Sequence, residues 1–398
     1  MFIGVKNLSS RGRALSGLLL AACVLAGCAT APEGGRWVRT GDPIVDGKSA
    51  IENGPKRDRV LWQYRTAVAA MRLGQFDEAR ILLDDALAML GGVYGPDRDA
   101  RRARGYFTPE ARKGFLGEPY ERVMAYYYRG ILYWMDGEVD NARACFRSAQ
   151  FMDSDAGNQQ YKNDYVLLEY LDGFATVKLG GDGADAFGRA RSLVRLNPPP
   201  DYDAAANVMF FVEFGRGPKK YATGQYDEQL KFLAGSSKVK AVRIQSGSVA
   251  REALPFDDLT FQATTRGGRV MDHVLANKAV FKQTTDAAGT GAIIAGAVMA
   301  SQREHDSPVD EIGAGLVVAG VLSKIISSAT TPAADTRTWD NLPQYLSFSM
   351  LKLPEGDHDL EFEFLGEGGN PIADQTRHVR VRVEAGRDTV VFVSDNNP

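Results

Sequence analysis

The stretch from Tyr126 to Asp153, YYYRGILYWMDGEVDNARACFRSAQFMD, constrains this chain more than any other. In its second half Val139, Ala142, Phe146, Ala149 and Met152 recur every three or four residues. That spacing sets them on one stripe of a helix starting after the Asp136-Gly137 break. An apolar stripe has to be covered, and the preceding helix offers the cover. Tyr126, Gly130 and Tyr133 share one of its faces, and the missing side chain at Gly130 lets two helix axes come close. A chain built around this pair of stripes folds here as a helical hairpin.

The same pattern occurs upstream. Val60, Tyr64, Ala67 and Met71 mark one helix, Gly74-Gln75-Phe76 a turn, and Ala79, Leu82, Leu83, Ala86, Leu87 and Leu90 a second helix. Ala67, Gly74, Phe76, Ala79 and Ala86 stand where Gly130, Gly137, Val139, Ala142 and Ala149 stand in the later pair. The series Tyr126, Gly130, Tyr133, Gly137, Ala142, Phe146, Ala149 resembles the tetratricopeptide (TPR) helix-turn-helix repeat. A third, degenerate pair covers Tyr161 to Leu179 and Ala184 to Leu196 and closes on Asn197 and three prolines. Three such units are about the smallest stack that buries a continuous core. The resemblance implies binding of peptides or proteins on a concave face. It makes Tyr126, Gly130, Tyr133, Ala142, Phe146 and Ala149 repeat-packing residues and puts forward Tyr127, Tyr128 and Arg129 as partner-binding residues. Gly91 to Glu118, with Arg98, Arg101, Arg102 and Arg104, reads as a surface insertion whose charge is solvated.

The N-terminus reads as an export signal. Lys6, Arg11 and Arg13 precede a short apolar run, Ala14 to Ala26, too short to span a membrane. Leu25-Ala26-Gly27-Cys28 resembles the bacterial lipoprotein processing box, which implies that Cys28 carries lipid and begins the mature chain. The other reading is a plain signal peptide with an incidental cysteine. Each buried acyl methylene contributes about 0.8 kcal/mol, and a single chain anchors only marginally. Ala29 in place of Asp implies, by the same resemblance, an outer-membrane location facing the periplasm. Residues 1–27 are then the signal peptide and 28–56 a tether. The formal net charge is −3, and the leader holds three bases and no acid. The remainder is more acidic still, which argues against nucleic acid as a partner. Cys145 has no partner for an intramolecular disulfide and reads as a small buried hydrophobe.

Beyond a TPR-like α domain over 57–200, the texture changes. Val208 to Phe214 is a continuous apolar run interrupted by one carboxylate, which suits a buried strand, and Gly215 to Lys220 makes a glycine loop. That loop lacks the Gly-Lys-Ser/Thr ending of a phosphate loop. Val239 to Ile244 and Leu259 to Ala263 read as further strands. Residues 205–335 thus form a mixed region with an inserted Gly/Ala-rich helical hairpin, Ala287 to Leu322. Its two apolar runs are shorter than a membrane span and hold small residues at four-residue spacing. Two readings stand for it, a buried hairpin or a membrane-touching, oligomerising one. Residues 336–398 read as a small antiparallel β domain, a sandwich. Leu360, Phe362 and Phe364 alternate with Glu361 and Glu363, and Val379, Val381 and Val383 alternate with arginines.

The fold class expected is α+β: N-terminal TPR-like hairpins, then a β-rich region with the inserted hairpin and a C-terminal antiparallel sandwich. The lipoprotein box, the run Ala334 to Trp339 before Leu342-Pro343 and the turn after Phe214 are together similar to a family of TPR-containing bacterial outer-membrane lipoproteins of unassigned function. Chemistry is sparse. His273, His305, His358 and His378 have no metal-ligand spacing, and no serine sits in a nucleophile elbow. No metal, cofactor or catalytic residue is expected. The function expected is a membrane-anchored scaffold or adaptor binding other envelope proteins, with homo-oligomerisation through the Gly/Ala-rich hairpin open. The alternatives are a membrane-active or secretion-accessory oligomer and a periplasmic hydrolase whose carboxylates converge only in space.

Overall fold

The structure, a computed structural model, describes residues 39–93, 114–154, 161–225, 227–265 and 334–398. The fold is mixed α+β, with eight α-helices among the described residues. Cys28 with Leu25, Ala26 and Gly27, the arginine cluster at 98–104 and the 287–322 hairpin lie outside the described residues.

The first helix, α1 (Pro43–Asn53), corrects the reading of 28–56 as a tether. Asp42 caps it by accepting from the amides of Ile44 at 2.8 Å and Val45 at 3.1 Å, and Pro43 needs no partner for a first-turn amide. Gly47 then lies so close to Thr66 that a Cβ would fall 1.9 Å from Oγ1, which docks α1 on the next helix.

Three hairpins follow: α2 (Arg59–Arg72) with α3 (Phe76–Val93), α4 (Pro119–Met135) with α5 (Val139–Asp153), and α6 (Val166–Lys178) with α7 (Ala184–Ser192). Each first helix ends in the same way. Gly74, Gly137 and Gly180 turn left-handed at φ +72°, +83° and +80°. The following amides, of Gln75, Glu138 and Gly181, donate five residues back to Ala70, Tyr133 and Thr176. Close approach recurs too, since a Cβ at Gly130 would meet the Phe146 ring at 2.5 Å and one at Gly173 the Phe187 ring at 3.0 Å. Helix α4 begins at Pro119, because Glu118 and Glu121 form a reciprocal capping box ahead of it.

Among the described residues, ten strands make two four-stranded sheets and a separate ribbon. The central sheet has the order β10 (Thr389–Ser394), β1 (Val208–Phe214), β7 (Tyr345–Leu351), β6 (Pro255–Asp258). The outer sheet has the order β5 (Val249–Ala253), β4 (Ala241–Ser246), β8 (Gly356–Leu365), β9 (Pro371–Val383). The ribbon is β2 (Lys219–Thr223) with β3 (Gln229–Leu233). Strand β1 is buried at all seven positions, because its two faces meet different layers. Met209 and Phe211 join the helical core, whereas Val208, Phe210, Val212 and Phe214 pack with Val242, Ile244, Leu360, Phe362 and Phe364 of the outer sheet. The result is three layers: helices, central sheet, outer sheet.

Three expectations are corrected here. The boundary at 335/336 is not a domain boundary, since each four-stranded sheet takes two strands from either side of it. The C-terminal strands are not all antiparallel, for β10 runs parallel to β1, with Phe211 opposite Phe392. Leu259 to Ala263 is not a strand but lies in a short helix, α8 (Leu259–Thr264), because the Asp258 carboxylate caps the Thr260 amide at 2.8 Å.

Candidate functional site

Of the repeat-packing residues, Gly130, Ala142, Phe146 and Ala149 are buried, and Tyr126 and Tyr133 are half-buried against the same core. The three residues put forward for partner binding are corrected. Tyr127 and Tyr128 are fully buried against the central sheet, with ring centroids 6.3 Å from Phe211 and 6.1 Å from Phe392 respectively. Arg129 is 7% exposed; it bonds Asp84 of α3 at 2.6 Å and lies 3.5 Å over the Tyr133 ring. The physical reason is that the face offered by α2, α4 and α6 is filled by the chain's own sheet. Tyr170 and Phe174 of α6 touch Phe348 of β7, and Trp134 of α4 touches Phe211. Every residue of α6 from Val166 to Ala175 is buried.

Buried charges fix that contact. Glu213, the one carboxylate of β1, accepts on Oε1 from Arg72 Nε at 2.9 Å and Nη2 at 2.7 Å, and on Oε2 from the Tyr128 hydroxyl at 2.5 Å. The Arg72 and Glu213 side chains are 2% and 1% exposed, so neither charge is solvated. Burial first, then Glu213, pushes the Tyr128 phenol well above its usual range, so it stays a donor. Beside it Asp395, accepting from the Gly215 amide at 2.9 Å, is pushed up to about 6, mainly by burial.

Glu121 closes a second tie. Having capped Glu118 at 2.7 Å, it also accepts from the Trp339 amide at 2.8 Å and from Lys220 Nζ of β2. Burial pushes the Glu121 carboxyl up and the Lys220 ammonium down, each against the pull of the other. Asp388 makes a third, receiving Trp134 Nε1 at 3.0 Å and Lys178 Nζ at 2.8 Å. The fourth is Asp257 of β6, which accepts the Val166 and Leu167 amides, each at 2.9 Å, at the N-terminus of α6. Burial pushes its carboxyl up to about 7 against those two amides. Sequence reasoning missed all four. Only Glu213 left a signal, as a lone charge in a run too apolar to face water.

A cleft opens beside the second tie. It measures about 530 Å³ and lies between the start of α2, the first residues of β2 and the segment 336–340. Arg337 bonds Asp58 at 2.7 Å and Asp335 at 2.6 Å. Arg65 donates to the Thr338 carbonyl at 2.7 Å, pairs with Asp340 at 2.9 Å and lies 5.1 Å over the Trp62 ring. These charges are engaged with one another and hold the 335–340 segment against the helices. Lys219 stands exposed at the rim, next to Trp62 and Arg65.

Among the described residues no three His, Cys, Asp or Glu side chains gather as metal ligands. His358 bonds the Pro354 carbonyl at 2.8 Å, and His378 is exposed on β9. Cys145 is buried and its thiol is pushed up to about 11, first by burial, which leaves it protonated and inert at neutral pH. No helix among the described residues is long and apolar enough to cross a membrane. The chain matches no family model, no curated protein and no solved structure.

Proposed function

We propose that this chain is a membrane-anchored scaffold or adaptor lipoprotein of the bacterial outer membrane, facing the periplasm and binding other envelope proteins, and that it is not an enzyme. The finer fold reading belongs with this proposal: the thrice-repeated left-handed glycine cap supports TPR-like hairpins, and the apolar core between the two sheets supports a β-sandwich.

The observation that carries the reading is the filled inner face of the helical layer. With α2, α4 and α6 seated on the central sheet, the partner surface passes to the second helices. There Ile81 is 61% exposed, Met89 43% and Phe151 63%, each large, apolar and in water. The buried charges are paired across layers, a use that stiffens a binding platform rather than serving a reaction.

The test is affinity purification from gently crosslinked membranes, with Cys28→Ser as the anchor control and Ile81→Asp/Phe151→Asp as the surface variant. A discrete envelope protein recovered with the native chain and lost with the surface variant supports the proposal. Recovery of that protein undiminished by the surface variant overturns it.

A further inference from the structure

The β2–β3 ribbon is two-faced. Its inward side carries Lys220, which meets Glu121, and Phe232, whose ring lies 5.9 Å from Tyr120 and packs on the helical core. Its outward side is set by the register Lys219 opposite Leu233, Tyr221 opposite Lys231 and Thr223 opposite Gln229. Leu233 is 57% exposed and Tyr221 40%, and both lysines are exposed. No carboxylate lies on that side of the two strands. The nearest acids of the ribbon, Asp227 and Glu228, are in its turn. At the β2 end this face continues into Trp62 and Arg65 across the cleft rim, where Asp340 is engaged by Arg65 and Asp58 by Arg337. Basic, aromatic and aliphatic side chains thus share one surface of a chain whose net charge is negative.

A second observation concerns where the chain outside the structure joins. Residues 266–333 leave after α8 and return at Ala334, and both junctions are tied to this ribbon. Thr260 of α8 accepts the Gly235 amide just past β3 at 2.8 Å, and the Ala334 amide donates to the Asp227 carbonyl in the β2–β3 turn at 2.7 Å. The apolar Gly/Ala-rich sequence between them is therefore joined to the fold at both ends of the ribbon.

We infer that the outward face of the β2–β3 ribbon, with Trp62 and Arg65, is a docking surface for an anionic lipid bilayer. Lysines at such a surface are drawn to acidic headgroups, tyrosine and tryptophan settle at headgroup level, and an aliphatic tip enters the acyl boundary. The charge complements an acidic headgroup layer, and the chain outside the described residues leaves and rejoins the fold at this ribbon. The inference does not rest on the lipid anchor or on a protein partner.

The test uses the full-length chain made cysteine-free by Cys23→Ser, Cys28→Ser and Cys145→Ala, with an environment-sensitive fluorophore on Leu233→Cys. The label reads contact at the ribbon itself, so binding through the leader alone leaves it unchanged. Titration with vesicles of phosphatidylcholine containing phosphatidylglycerol should shift its emission, and pure phosphatidylcholine should not. Lys219→Gln/Lys231→Gln should raise the lipid needed about 25-fold, at about fivefold for each lysine near the surface. Arg380→Gln/Arg382→Gln, an equal charge change on exposed β9, should alter it less than about twofold on the same scale. An unshifted label, an equal shift with pure phosphatidylcholine, or a lysine variant that shifts at the same lipid concentration as the native chain overturns the inference. So does loss of a dimer in the lysine variant with vesicle binding intact, which would assign the face to a second copy of the chain.

Discussion

The central sheet has two faces, and they are joined to their neighbours by different physics. Toward the outer sheet the contact is apolar, with Val208, Phe210 and Val212 meeting Val242, Ile244, Phe362 and Phe364. Toward the helices the apolar contact is pinned by Glu213 with Arg72 and Tyr128, Asp388 with Trp134 and Lys178, and Asp257 with the amides of α6. Strand pairing already fixes β4 and β8 in register within a sheet, so side-chain alternation suffices on one face. Helices laid across a sheet have no such register. A misplaced helix there leaves a buried charge unpaired, so the polar ties select one arrangement at a cost in desolvation.

The largest effect should come from breaking the tie at β1. Glu213→Ala leaves the buried Arg72 guanidinium without its carboxylate, with the Asn341 carbonyl at 2.7 Å as its remaining acceptor, and the Tyr128 hydroxyl without its acceptor, and should lower unfolding free energy in urea by about 3–5 kcal/mol. If the tie serves specificity more than stability, Arg72→Met/Glu213→Leu should recover much of that loss. A double variant as unstable as Glu213→Ala would show the contrast with the apolar face to be overdrawn.

Next in size is a pH dependence carried by Asp257. Its carboxyl titrates near 7 in the folded chain against about 3.9 unfolded, so the folded state holds the proton longer. Its contribution is therefore full at low pH, falls as pH rises from about 4 to 7, and is lost above, by up to about 4 kcal/mol. Asp257→Asn should flatten this slope: its deficit against the native chain, followed by thermal unfolding, should be largest near pH 5 and smaller near pH 7.5. A deficit independent of pH would show that Asp257 is ionised throughout.

The smallest effect sharpens the comparison within the helical layer. Gly130→Ala places a methyl against the Phe146 ring, and overpacking of this kind costs about 1–3 kcal/mol. Gly188→Ala on α7, where a Cβ meets nothing within 4 Å, should be neutral or stabilising. Equal melting shifts for the two would remove close approach as the reason for glycine at 130.

The hairpins were legible because their determinants are local. The stripe from Val139 to Met152 needs only the helical period to be read, and the left-handed turns at Gly74 and Gly137 need only the residue that tolerates them. The capping box at Glu118 and Glu121 is as local, yet it straddles the end of Gly91 to Glu118, whose glycines, arginines and prolines read as an insertion and mask the helix start. The candidate site was hardly legible at all. Tyr127 and Tyr128 carry no mark in sequence that separates a groove-lining ring from a core ring, and their burial depends on a sheet contributed by residues far along the chain.

The sequence by itself determined that three hairpins form, that β1 must be covered on both faces, and that the inner side of β8 is apolar and its outer side charged. Each follows from the period of apolar residues within one element. Tertiary structure alone decided that β10 returns to lie parallel beside β1, that the inner face of the helices is filled from within the chain, and that Glu213 meets an arginine 141 residues away. Those outcomes depend on which covered faces and which charges fit one another once the layers are stacked. That complementarity between distant segments has no period to read.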